Sequence, residues 1–455
     1  MRMIQRDRLA VLMAQELDRF AGAHPRSLAL YERAKGSLLS GVPMNWMTKW
    51  AGGFPVFVDD AEGARFTDVD GHTYVDLCLG DTGAMTGHSP KPTAEAIAEQ
   101  AHRGITLMLP TEDAIWVGEE LRRRFGLPVW QFALTATDAN RFTIRLARRL
   151  TGRPKILVFN WCYHGSVDET FITLDPDGST RPRDGNLGPP VDPSVTTKVV
   201  EFNDVDALER ALAPGDVACV LAEPALTNIG IVLPENGFHD ALREITTRTG
   251  TLLVIDETHT ICAGPGGYTR AFGLQPDFLT IGKPIASGVP AAAYGFTAEV
   301  ARLLEPITSE KEADTGGIGG TLAANAFSLA AMRVTLDQVL TDEAFDRMIA
   351  LAVRFAEGVQ GVIAERDLPW HITRLGCRAE YLFQPVRPRS GAEAAARADP
   401  ELDAFMHLWA LNRGILLTPF HNMALMSPAT TEEDVDRHTA VFEAATSELA
   451  TARLA

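Results

Sequence analysis

The chain of 455 residues contains seven lysines: Lys35, Lys49, Lys91, Lys155, Lys198, Lys283 and Lys311. Lys283 is set apart because it directly follows an apolar, strand-like run, Phe278–Ile281, and lies between Gly282 and Gly288. In a parallel α/β sheet, ligands bind just beyond the carboxyl ends of strands. A lysine there can approach a ligand at little steric cost, and desolvation would make it a better amine nucleophile. A surface lysine in a βα loop would look the same. A second apolar run, Thr251–Asp256, ends in a carboxylate. Burying a carboxylate is costly unless it meets a cation, although a helix cap is another reading. A third stretch, Thr135–Ala136–Thr137–Asp138, runs into a helix-like segment. Hydroxyls and free N–H groups at a helix start make a seat for an anion, and they are also ordinary caps.

A nucleophilic amine, a carboxylate awaiting a cation and an anion seat match the aldehyde, the pyridinium nitrogen and the phosphate of pyridoxal 5'-phosphate. Pairing the ring nitrogen with a carboxylate keeps that ring an electron sink.

Positioning these residues requires a large domain. Helical segments at 92–104, 112–125, 138–151, 205–213 and 236–249 alternate with apolar runs at Lys155–Phe159, Thr197–Phe202, Ala218–Ala222, Thr251–Asp256 and Phe278–Ile281. Apolar strands interleaved with helices predict a mostly parallel sheet covered on both faces. Upstream, residues 4–37 carry apolar residues at helical spacing, and Phe54–Val58 and Arg65–Asp76 read as short antiparallel strands around an Asp68–His72 turn. Residues 321–362 read as one long Ala- and Leu-rich helix. Strand-like Glu380–Gln384 and Ile415–Thr418 follow, with a helix starting at Thr431–Asp434 and an Ala-rich patch at 391–399. The expected organisation is an N-terminal segment with part of a small domain (1–91), a large cofactor domain (92–330) and a C-terminal small domain (331–455). The small α+β domain is thus built from both chain ends.

Composition narrows the function. A hydrophobic fraction of 46% and a charged fraction of 22% describe a globular chain. A net charge of −17 works against nucleic-acid or anionic-membrane partners. Five scattered cysteines with no CxxC pair predict neither a disulfide framework nor a zinc site. No signal-like or membrane-length apolar run is present, so the expected localisation is cytoplasmic. No GxGxxG opens a helix after the early strands, which counts against a nucleotide-dependent dehydrogenase.

From about residue 35 to 440 the chain resembles the class III aminotransferases of fold type I. These include ω-amino acid and amine transaminases, β-amino acid transaminases and glutamate-1-semialdehyde aminomutases. Thr135–Ala136–Thr137 is similar to the family's Ser–Gly–Thr phosphate loop. Tyr163–His164–Gly165 resembles its aromatic–His–Gly segment, whose ring stacks on the cofactor. Glu223–Pro224 and Asp256–Glu257 resemble its strand-end Glu–Pro and Asp–Glu pairs. The resemblance gives Lys283 the Schiff-base position and Gly320–Thr321 the contact that reaches the phosphate of a partner subunit. It therefore implies pyridoxal 5'-phosphate, a homodimer with shared active sites, and amino-group transfer between an amine or amino acid and a keto acid or aldehyde. Lys283 would also shuttle the proton. An aminomutase or racemase on the same fold is the alternative.

Some positions depart from the family. Ala136 stands where glycine is usual, so its backbone has to tolerate a Cβ. Thr258 replaces the usual valine against the ring face, and His259 after it reads as a loop residue at least as readily as a catalytic one. Carboxylate substrates usually meet an arginine in the N-terminal loop or near the C-terminal strand. Here the first, Ser40–Trp50, holds Trp46 and no arginine, and the second holds His421. The absence argues against the semialdehyde aminomutase in particular. Arg378 is a substitute clamp or a partner of Glu380, and Arg270 is a weaker substitute. The aromatic N-terminal loop suggests a hydrophobic or aromatic substrate group.

Overall fold

The computed structural model describes residues 4–175, 177–309 and 317–450, so Lys311 lies outside the described residues. The chain divides into two compact units, one comprising residues 91–345 and 388–396, the other residues 1–90, 346–387 and 397–455.

The larger unit is built on a seven-stranded sheet. Its spatial order is Val129–Ala133, Ala292–Phe296, Phe278–Ile281, Leu252–Asp256, Val217–Ala222, Lys155–Phe159 and Thr197–Val200. Only Ala292–Phe296 runs antiparallel to its neighbours. The central strands are apolar along their whole length because both faces are covered. All six residues of Val217–Ala222 and all four of Phe278–Ile281 are buried. The core forms where this sheet meets the helices Ala136–Thr151, Val205–Leu212 and Phe238–Thr249, through side chains such as Phe142, Leu208 and Leu242. Register aligns the central strand ends. Ala222 lies opposite Ile255, and Asp256 opposite Thr280, so Glu223, Asp256 and Gly282–Lys283 emerge side by side.

The smaller unit holds the four-stranded sheet Val58–Glu62, Arg65–Asp68, Thr73–Asp76 and Ile415–Leu416, and the three-stranded sheet His371–Leu375, Arg378–Leu382 and Met423–Leu425. Phe20 from the helix Arg6–Ala23 and Leu408 and Leu411 from the helix Pro400–Leu411 pack with Phe66 and Tyr74 of the first sheet. Among the described residues no helix is long and apolar enough to cross a membrane.

The expected long helix over 321–362 is instead broken. Residues 321–324 form a turn, and a helix capped by Asn325 covers Ala326–Val334. A π-turn covers Thr335–Val339, and a new helix covers Asp342–Glu365. The helix-forming Ala and Leu content conceals the break. Thr335 turns its hydroxyl to Ser287 at 2.8 Å, and Thr341 Oγ1 accepts the Ala344 N–H at 3.2 Å, starting the next helix. The Ala-rich patch forms the short helix Gly391–Ala395, capped by Ser390.

Candidate active site

The constellation expected from the sequence assembles at the strand ends of the larger unit. Asp256 is buried at the end of Leu252–Asp256. One carboxylate oxygen accepts from Asn140 Nδ2 at 2.8 Å and lies 2.9 Å from His164 Nδ1, while the other accepts the Thr258 N–H at 3.0 Å. Burial alone would raise its pKa, but the bond and charge of His164, with Thr258 and Asn140, hold it down at about 2. Burial would likewise discharge His164. The neighbouring Cys162 sulfur and the Asp256 carboxylate outweigh it and push the imidazole up to about 10.

Asn140, to which the sequence reading assigned no role, ties three elements together. Besides Asp256 it donates to the His164 carbonyl at 3.2 Å and accepts from Thr280 Oγ1 at 2.7 Å. Its signal in the sequence is weak: it lies one turn after Ala136, on the helix face that points at the strand ends.

Glu223 ends the next strand. Burial raises its pKa despite the opposing charge of His164. It accepts from the Tyr163 N–H at 3.1 Å and from the Thr227 hydroxyl at 2.6 Å, fixing the loop that carries Tyr163 and His164. Tyr163 is 40% exposed, with its ring edge-on to Phe171 at 6.3 Å.

Lys283 follows its strand in a short 3-10 turn, Lys283–Ala286, with φ of 51°. Left-handed backbone is costly for a residue with a Cβ and persists only when its surroundings enforce it. Here Ser287, also at φ 51°, anchors the far end of the turn through Thr335. Lys283 Nζ lies 2.7 Å from His259 Nε2. The sequence reading gave His259 no preferred role; the pairing of the two strands decides its position.

The helix Ala136–Thr151 brings its start to the same place. Thr135 is its cap, accepting the Asp138 N–H and donating to the Asp138 carboxylate, so the ordinary cap reading holds for that hydroxyl. Ala136 begins the helix in ordinary helical geometry, which accommodates its Cβ without the glycine usual at that position. A Cβ on Gly282 would lie 3.0 Å from that of Ala136, so the lysine turn rests directly on the helix start. Gly165, at φ 74°, crosses the same spot. A Cβ there would come within 2.0 Å of Thr137 Oγ1, which accepts the Ser166 N–H. The loop and helix start thus form a close-fitting cradle of backbone N–H groups.

These features fit pyridoxal phosphate. The ionised Asp256 suits the ring nitrogen, the helix start suits the phosphate, and the buried His164 Nε2 has no hydrogen-bond partner among the described residues. Asp256 would hold the ring nitrogen, Tyr163 and Thr258 its faces, and Lys283 Nζ its aldehyde carbon. The bound cofactor supplies an electron sink for cleavage of a bond at the substrate's amino-bearing carbon.

Of the residues proposed for substrate, Trp46, Arg378 and His421 lie in the smaller unit, and Arg270 in the larger. Trp46, in the 3-10 turn Asn45–Lys49, meets Phe420 edge-on at 5.8 Å, and Lys49 Nζ lies 5.2 Å from the same ring. His421 Nδ1 is 3.1 Å from Glu380 Oε1. Arg378 is fully buried and its guanidinium is 3.7 Å from Glu380. Arg378 and Glu380 thus lie side by side in the buried interior of this unit. Arg270 bonds the Arg123 carbonyl at 3.3 Å. Thr321 lies exposed in the turn after Gly320.

The class-III aminotransferase family model matches residues 46–445. A glutamate-1-semialdehyde 2,1-aminomutase of Sorangium cellulosum is 34% identical over 91% of this chain and 94% of its own. A solved glutamate-1-semialdehyde-aminomutase from Pseudomonas aeruginosa PAO1 is 50% identical, with a TM-score of 0.96 over 98% of this chain and 99% of that one. An omega-transaminase from Sphaerobacter thermophilus is 28% identical, with a TM-score of 0.83 over 93% and 97% of the two chains. With the strand-end lysine, carboxylate and phosphate cradle in that family's order, the chain belongs to the class-III aminotransferases, pyridoxal-phosphate enzymes of fold type I.

Proposed function

We propose that the protein is an aminomutase, moving an amino group between neighbouring carbons of one substrate, with Lys283 as cofactor-binding residue and proton carrier. The observation that carries the site is the convergence of Lys283, the ionised Asp256 and the helix start at Ala136 around three aligned strand ends. Asp256 keeps its negative charge against the ring nitrogen. Glu223 sets the Tyr163 loop, and Lys283 Nζ would take up and return the proton at the substrate's amino-bearing carbon. Full-length similarity to aminomutases supports this alternative over the transaminase that the sequence favoured.

Transamination is the second reading. The aromatic loop without an arginine, where Trp46 meets Phe420, favours a hydrophobic amine over a dicarboxylic semialdehyde. The two readings part on the acceptor. Pure protein with an amino-aldehyde or amino acid substrate and no added keto acid should release the isomer. Strict dependence on a keto acid would sink the mutase reading. In either case Lys283→Ala should abolish the visible cofactor band and lower turnover by about 10⁴-fold. A wild-type protein that stays colourless with added pyridoxal phosphate would refute both. A dimer that shares active sites through Thr321 is part of the proposal. It is supported by the exposed Leu107, Met108, Leu109 and Leu322, and a fully active monomer would overturn it.

A further inference from the structure

His259 ends the turn that begins at Asp256, and its Nε2 lies 2.7 Å from Lys283 Nζ. The two residues come from adjacent parallel strands. Asp256 is level with Thr280, and the Glu257 N–H donates to the Thr280 carbonyl at 2.8 Å, carrying the register past the strand end. His259 is buried, and Lys283 is half-buried on a left-handed backbone. Both ends of the contact are therefore held by the fold.

Two nitrogen bases this close share one proton, because two cations at that distance repel. The charged groups around the pair have partners of their own. Asp256 meets His164 and Asn140. Glu257, the other carboxylate of the turn, accepts from Thr260 Oγ1 and from the N–H groups of Tyr268 and Thr269. On the facing strand Thr280 donates to Asn140. From the neighbouring loop come Cys162 and His164, the latter turned to Asp256.

We infer that His259 is a positioning residue for Lys283, accepting the Nζ proton on Nε2 so that the Nζ lone pair is free to react. In this step the Nζ–H bond breaks and an Nε2–H bond forms. The positive charge passes from ammonium to imidazolium, and the pair keeps its total charge. The inference rests on Lys283 being the cofactor lysine, and it adds where that lysine's proton goes.

The full-length protein freed of pyridoxal phosphate tests it. Lys283 is labelled with acetic anhydride across pH and quantified by mass spectrometry against Lys155 and Lys198, both paired with Asp216. Losing the group that takes up the Nζ proton should raise the labelling midpoint of Lys283 by about one pH unit in His259→Phe. His259→Gln keeps a hydrogen-bond acceptor but cannot hold the proton, so its midpoint should rise as well. Its kcat should fall roughly tenfold with a flattened pH profile and little change in KM. A midpoint that stays or falls in His259→Phe overturns the inference, as does a wild-type kcat and pH profile in His259→Gln. If circular dichroism shows His259→Phe unfolded, His259→Asn takes its place, being too short to reach Nζ. Borohydride trapping in the wild type separates the two layers. An adduct on another lysine would refute the cofactor reading, while the labelling midpoint still reports on the Lys283–His259 pair.

Discussion

Each unit buries a cluster of Asp or Glu with His, and the two clusters are driven in opposite directions. In the larger unit Asp256 is held at about 2 and His164 is pushed up to about 10, so both remain charged. In the smaller unit burial lifts Asp403 to about 6 against its bond to Asn422, and burial drops His407 to about 4. Those two are pushed towards neutrality. Residue types are alike, Asp403 is somewhat less buried than Asp256, and partners differ. Asp256 faces an imidazole and two further hydrogen-bond donors, whereas Asp403 has an amide and two nearby carboxylates, Asp399 and Glu380. Depth alone thus discharges a group, and an arranged counter-charge keeps it ionised. Only the first arrangement suits a cationic ring.

The contrast breaks most visibly at Asp256. Asp256→Ala leaves His164 buried without its counter-charge and should cost about 3–5 kcal/mol in chemical denaturation. A loss below about 1 kcal/mol would place this cluster with the other one. A smaller effect with a distinct pH signature is expected for His164→Gln. A raised histidine stabilises fully below its unfolded value of about 6.5 and loses that contribution as pH rises towards about 10. A depressed Asp256 stabilises above its unfolded value of about 3.9 and loses that contribution as pH falls towards about 2. The Tm gap between wild type and variant should therefore be widest between those two unfolded values and close on both sides. A gap independent of pH would mean that the pair is not ionic.

Asp403→Asn should have the smallest effect, with the opposite sign. A carboxyl raised to about 6 binds its proton more tightly in the folded state, so it costs stability as pH climbs from about 3.9 through 6. The variant should match wild type near pH 4 and exceed it by about 1 kcal/mol above pH 6. A variant less stable than wild type at neutral pH would show that Asp403 is a needed charge.

Lys283, Asp256 and Glu223 were legible because each follows an apolar run, and position after a strand is a local pattern. The phosphate seat was legible in the same way, through cap residues before a helical period. Arg378 was ambiguous because a strand-start arginine two residues before Glu380 fits a clamp or an internal pair equally well, and only the fold shows that the two are buried side by side. The break at Thr335–Thr341 was hidden because composition reports helix propensity, while the hydroxyl bonds that redirect the chain there include the long-range contact to Ser287. Asn140 and His259 were seen without a role, since neither type announces what it faces.

The sequence by itself determined which groups are proposed to react, the parallel strands that end in them and the family they resemble, because those depend on residue type and short-range period. Tertiary structure decided that Lys283 meets His259, that Asp256 keeps its charge and that Asp403 is pushed to lose it. Those outcomes depend on strand register and on which groups share a buried space, and neither is encoded locally.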